Sequence, residues 1–71
     1  MTRRPPHPLM TQLRDLRLDR GLTQLEVASE IGVAQSALCF WENGGRTPTL
    51  TRVTELAAFH GYKLTLTPKE A

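Results

Sequence analysis

Apolar residues recur along most of this chain at helical spacing, and glycines interrupt them at intervals too short for any long helix. From Leu9 to Arg20 the positions Leu9, Leu13, Leu16 and Arg17 share one face, and Gly21 ends this first element. Thr23 then stands three residues before Glu26. This is a capping box, in which the hydroxyl accepts from the Glu26 backbone N–H while the Glu26 side chain reaches back. A second helix is expected from Gln24, with Val27, Ala28 and Ile31 inward and Gly32 where a left-handed C-terminal residue belongs. After Val33, the residues Ala34, Ala37, Leu38 and Trp41 fall on one side of a wheel turning about 100° per residue. Gln35, Ser36, Cys39, Phe40 and Asn43 point the other way before Gly44 and Gly45 stop the helix. Thr49 caps a fourth helix whose inner side is Leu50, Val53, Leu56, Ala57 and His60, and Gly61 closes it. The period then changes. Tyr62, Leu64 and Leu66 alternate with Lys63, Thr65 and Thr67 as in a strand, which Pro68 ends.

The domain plan follows from these breaks. Residues 1–8 hold Arg3, Arg4 and three prolines and are expected to be a non-helical, disordered arm. Residues 9–61 form one helical domain, 62–67 a strand and 68–71 a tail. No other run alternates with period two, so the strand has no partner in its own chain. Its backbone groups call for one from outside, which a two-fold axis would supply as an identical strand; the alternative is a short tail folded on its own domain.

Two short helices joined by a glycine turn, the second showing polar groups outward, are the means by which many proteins read DNA. The stretch LRDLRLDRGLTQ (Leu13 to Gln24), the small Ala28, Gly32 and WENG (Trp41 to Gly44) resembles the Cro/C1-type (XRE-like) helix-turn-helix of phage repressors and bacterial regulators. The resemblance runs from about Leu13 to Gly61. It implies a mainly α fold, a small lambda repressor-like bundle of four to five helices, with the third helix lying in the major groove.

Candidate contacts can be assigned on that frame. Gln35 and Ser36 open the outward face of the third helix and are the leading base contacts, since a glutamine amide can grip adenine N6 and N7 together. Phe40, on the same face, either packs on thymine methyl groups or covers the core edge. Cys39 offers a weak donor to a base, with either an inert thiol or a redox switch as its further character. For phosphates, Gln24 occupies the position of the family's phosphate-clamping glutamine, and Thr23 beside it offers an amide. Asn43, Arg46 and Thr47 flank the third helix as further phosphate contacts, Arg46 having a free loop charge as its alternative. The resemblance also implies that Arg17 and Glu42 form a buried ion pair joining the first and third helices. Trp41 and His60 depart from the aliphatic residues usual at their positions.

Composition changes little in this picture. The 71 residues carry nine Lys+Arg against seven Asp+Glu, a net charge of +2 and a sequence pI near 9.2, which permits a polyanionic partner without demanding one. Seven of the nine are arginines, the better residue for bidentate phosphate contacts. One cysteine excludes an internal disulfide, the start lacks the apolar run of a signal peptide, and nothing apolar is long enough to span a membrane. A cytoplasmic location, in a bacterium or phage-infected host, is expected. No phosphate-cradling loop, nucleophile with a base or carboxylate pair is present, and metal ligands do not cluster; no catalysis, metal or cofactor is expected.

The expected function is a sequence-specific double-stranded DNA-binding regulator, a repressor that binds an inverted-repeat operator as a homodimer. The tail is similar to that of HipB-like antitoxins, which implies a dimer strand built on Tyr62, Leu64, Thr65 and Leu66 and admits a toxin as partner. The alternative is an antitoxin-type regulator or an adaptor that binds protein through Leu25, Cys39 and Phe40.

Overall fold

Four helices, α1 (Pro8–Asp19), α2 (Gln24–Ile31), α3 (Gln35–Asn43) and α4 (Leu50–Phe59), follow one another in this computed structural model, which describes residues 5–69. Arg3 and Arg4, assigned above to the arm, lie outside the described residues, as do residues 70 and 71. The start of α1 corrects one expectation. Pro8 was placed in the arm, but it occupies the first turn of the helix, where its missing N–H is not needed and its fixed φ suits the backbone. His7 caps this end, its Nδ1 accepting from the Leu9 N–H at 3.0 Å.

Local chemistry fixes α2 at both ends. Thr23 Oγ1 accepts from the Glu26 N–H at 3.1 Å, and the Thr23 N–H donates to Glu26 Oε1 at 3.0 Å, so both halves of the capping box are formed. At the other end Gly32 takes φ +77, and the N–H groups of Gly32 and Val33 both return to the Ala28 carbonyl. A left-handed residue here costs glycine nothing and any other residue about 1–2 kcal/mol. The turn it makes aims α3 away from α2.

Each helix contributes to one core: Met10 and Leu13 from α1, Val27 and Ala28 from α2, Leu38 and Trp41 from α3, and Val53, Leu56 and Ala57 from α4. α1 and α2 each pack against both α3 and α4. The buried stripe of α1 is Met10, Leu13 and Arg17, so Met10, which the pattern reading passed over, is central, while Leu9 and Leu16 lie on its flanks. Two further inward assignments are corrected. Ala34 is exposed because it is the N-cap, outside the helix proper, and Leu50 is 74% exposed because α4 begins beyond the edge of the core; His60 stays half-buried, as the C-cap of α4.

Residues 62–69 carry neither helix nor strand. The expected ladder is therefore not seen, and the described residues include no neighbouring strand with which to make one. Leu64 packs partly against the core, but Leu66, expected to face the helices, is 98% exposed because the chain leaves the surface after Leu64.

Candidate nucleic-acid interface

The polar centre of the domain sets the angle between helices. Arg17 and Glu42 are both buried, and the guanidinium meets the carboxylate as a fork: Nε donates to Oε2 at 2.9 Å and Nη2 to Oε1 at 2.8 Å. Arg17 Nη1 also donates to the Leu22 carbonyl at 2.8 Å, and Gln24 Nε2 donates to Glu42 Oε1 at 3.0 Å. Among the described residues no buried side-chain polar atom lacks a partner. The pair thus ties α1, the start of α2 and the end of α3 into one rigid unit.

The N-termini of α2 and α3 differ. The start of α2 is closed by its own side chains, and the Thr23 amide, assigned above to phosphate, is already taken by the Glu26 carboxylate. That carboxyl is held below its ordinary range, chiefly by the Thr23 N–H and then by the Thr23 hydroxyl, so a fixed anion sits at the helix end. What remains for a phosphate is Gln24, half-buried, with one amide hydrogen on Glu42 and a second still to give. The start of α3 is open. Ala34 supplies no side-chain cap, and Gln35 and Ser36 are both exposed. Anion-seeking N–H groups and two polar side chains therefore share one surface.

Farther along α3, Cys39 is half-buried with Asn43 Nδ2 3.9 Å from its Sγ, and Asn43 Oδ1 accepts from the Gly45 N–H at 2.8 Å. Asn43 thus shapes the turn that follows α3. Phe40 is 44% exposed, and the Arg46 guanidinium carbon lies 5.5 Å from its ring centre. Thr47 is exposed and lines a separate groove with His7, Leu9 and Pro48. The structure also brings in Arg14, which sequence reading overlooked: with Gln24, Cys39 and Asn43 it lines a groove between α1, α2 and α3. Its signal was its place one turn before Arg17, on the exposed side.

His60 lies elsewhere. Arg20 Nη1 is 3.1 Å from its Nδ1, and burial first, then the charges of Arg20 and Arg17, push its pKa below the ordinary value. Among the described residues no three His, Cys, Asp or Glu side chains gather as a metal site would require. No helix there is long and apolar enough to cross a membrane.

Comparison with known proteins places this geometry. A family model described as helix-turn-helix matches residues 13–66. The cryptic phage CTXphi transcriptional repressor RstR of Vibrio cholerae is 43% identical over 54 residues, which cover 76% of this chain and 49% of that protein. The chain thus spans about half the length of the curated relative it matches. Among solved structures, the HipB–O4 20mer complex and the HipA–HipB–O2–O3 complex each contain a chain that superposes with a TM-score of 0.79 at 26% identity, covering 99% of both chains.

Proposed function

The chain belongs to the Cro/C1-type (XRE) helix-turn-helix family, and from that premise we propose that it is a sequence-specific DNA-binding transcriptional regulator, a repressor that binds an inverted-repeat operator as a homodimer. One observation carries this reading: α3 presents Gln35 and Ser36 from an open helix start while the Arg17–Glu42–Gln24 network fixes its angle. Gln35, Ser36 and Cys39 face the bases, with Phe40 at their edge. Gln24, Arg46 and Thr47 hold phosphates, and Asn43 and Thr23 shape the turns that carry them. RstR is named as a transcriptional repressor, and HipB is solved in complex with a 20mer, which supports the same reading. Residues 62–67 would form the dimer strand, with Tyr62, Leu64, Thr65 and Leu66 meeting their copies.

A second reading, an antitoxin-type regulator that also binds a protein partner, rests on the neighbour solved together with HipA. It shares the DNA-binding surface and adds a partner.

Selection from a pool of randomised duplexes tests the first reading. The recovered sites should be inverted repeats with half-site centres about 10 base pairs apart, because a two-fold dimer presents two reading helices. Enrichment of no sequence over the starting pool would remove specific readout.

A further inference from the structure

The turn after α3 is built around one carbonyl. The N–H groups of Gly44, Gly45 and Arg46 all converge on the Phe40 carbonyl oxygen, the last two at 2.9 and 3.3 Å, and Asn43 Oδ1 holds the Gly45 N–H from the other side. This folds residues 43–46 back over the residue whose ring they must clear. Gly45 is the means of clearance. Its φ lies outside the left-handed region, so no backbone strain calls for glycine there, but a Cβ would stand 3.0 Å from Phe40 Cδ1 and 3.0 Å from Asn43 Oδ1. The missing side chain leaves room for the ring, and the Arg46 guanidinium lies over that ring at 5.5 Å from its centre.

We propose that Phe40 is a positioning residue for Arg46, its ring holding the guanidinium in place at the edge of the DNA-facing surface so that it meets a backbone phosphate already ordered. This rests on the DNA-binding reading given above and goes beyond it, because Phe40 there is a neighbour of the base contacts and Arg46 an independent charge. The chemistry suits the task. Stacking on an aromatic face engages the flat side of the guanidinium and leaves its in-plane N–H donors for phosphate oxygens. An unheld arginine would lose far more side-chain freedom on binding. A ring so occupied does not need a thymine methyl group to account for its exposure.

Fluorescence anisotropy of Phe40→Leu, Phe40→Tyr, Gly45→Ala, Arg46→Ala and the Phe40→Leu/Arg46→Ala pair tests this, using the selected site and a scrambled duplex over a range of salt. Phe40→Leu should weaken binding to both duplexes alike, by about two- to fivefold for an exposed cation–π contact. Gly45→Ala, which keeps both residues but crowds the ring, should behave the same way, and Phe40→Tyr, which keeps the aromatic face without widening the ring, should lose less than Phe40→Leu. Arg46→Ala should lower the salt slope by about 0.9, one phosphate's share. In that background Phe40→Leu should have no further effect. In the free protein, the Arg46 side-chain proton resonances should be shifted by the Phe40 ring and relax to ordinary values in Phe40→Leu. A Phe40→Leu loss confined to the selected site, or undiminished without Arg46, would make Phe40 a base contact and overturn the proposal, as would unshifted Arg46 protons in a wild type that binds DNA. A wild type that binds neither duplex at low salt would instead bring down the DNA-binding reading itself, and this role with it.

Discussion

The Arg17–Glu42–Gln24 centre and the run from residue 62 to 69 treat polar and apolar groups in opposite ways. In the centre, charged groups are buried and each is answered by a partner within the same chain: a two-bond fork, a carbonyl and an amide. In the C-terminal run, apolar side chains are exposed, Tyr62 at 58% and Leu66 at 98%, and the backbone joins no ladder. Burying ions is tolerable only where their hydrogen bonds are complete. Exposing a β-patterned apolar segment is tolerable where something else covers it. One region is therefore finished inside the chain, and the other is left exposed where the proposed second copy would cover it.

The strongest way to break this contrast is to leave one charge unanswered. Arg17→Met or Glu42→Leu alone should cost about 3–5 kcal/mol, because the remaining ion keeps its desolvation and loses its partner. At about 0.05–0.15 kcal/mol per residue a chain of 71 residues has about 4–11 kcal/mol in all, so the loss takes from about a quarter to the whole of its stability. The double variant should recover much of the loss. Urea melts of all three check it, and losses that simply add would show that the residues do not interact.

Removing the other region should do the reverse. A chain cut after Gly61 keeps every residue of the buried core and should still melt cooperatively. The full chain should sediment as a dimer and the cut chain as a monomer, whose operator affinity should fall by about 10²–10⁴ once each half-site is bound alone. A truncated chain that remains dimeric would move the interface onto α4, around Phe59.

The smallest effect sharpens the contrast at the edge of the polar centre. His60 has a folded-state pKa below its ordinary 6.5, so as the pH falls through that value the unfolded chain takes up protons that the folded chain does not. Its contribution to stability is complete above 6.5 and declines below it. The Tm should be lower at about pH 5.5 than at about pH 7.5, and His60→Asn should flatten that difference. Glu26 belongs to a more acidic window, since its carboxyl is held below 4.5 and what it contributes is lost only as the pH falls farther. A wild-type Tm unchanged over the upper window would show that protonating His60 carries no penalty.

What the sequence revealed followed the range of each interaction. Thr23, Glu26 and Gly32 were legible because a cap and a left-handed turn are decided within three or four residues. The inward faces of α2 and α3 were legible from periodicity, whereas Met10 was passed over and Leu50 misplaced because a helical wheel shows which residues share a face and not where the neighbouring helices end. The Arg17–Glu42 pairing came from a family pattern and not from the wheel. Gln24's bond to Glu42 joins residues 18 apart, and no local rule reports it. The stack of Arg46 on Phe40 depends on a turn whose course only the folded backbone reveals. The C-terminal alternation was visible, but a ladder between copies is a property of two chains.

The direct test of α3 as the reading helix is a comparison of Gln35→Ala with Gln24→Ala on the selected site and on a scrambled duplex, followed by anisotropy at fixed salt. Gln35→Ala is expected to lose about 1–3 kcal/mol on the selected site and little on the scrambled one, while Gln24→Ala weakens both alike. Equal losses for Gln35→Ala on the two duplexes, or a changed base preference for Gln24→Ala, would contradict the assignment of base reading to α3.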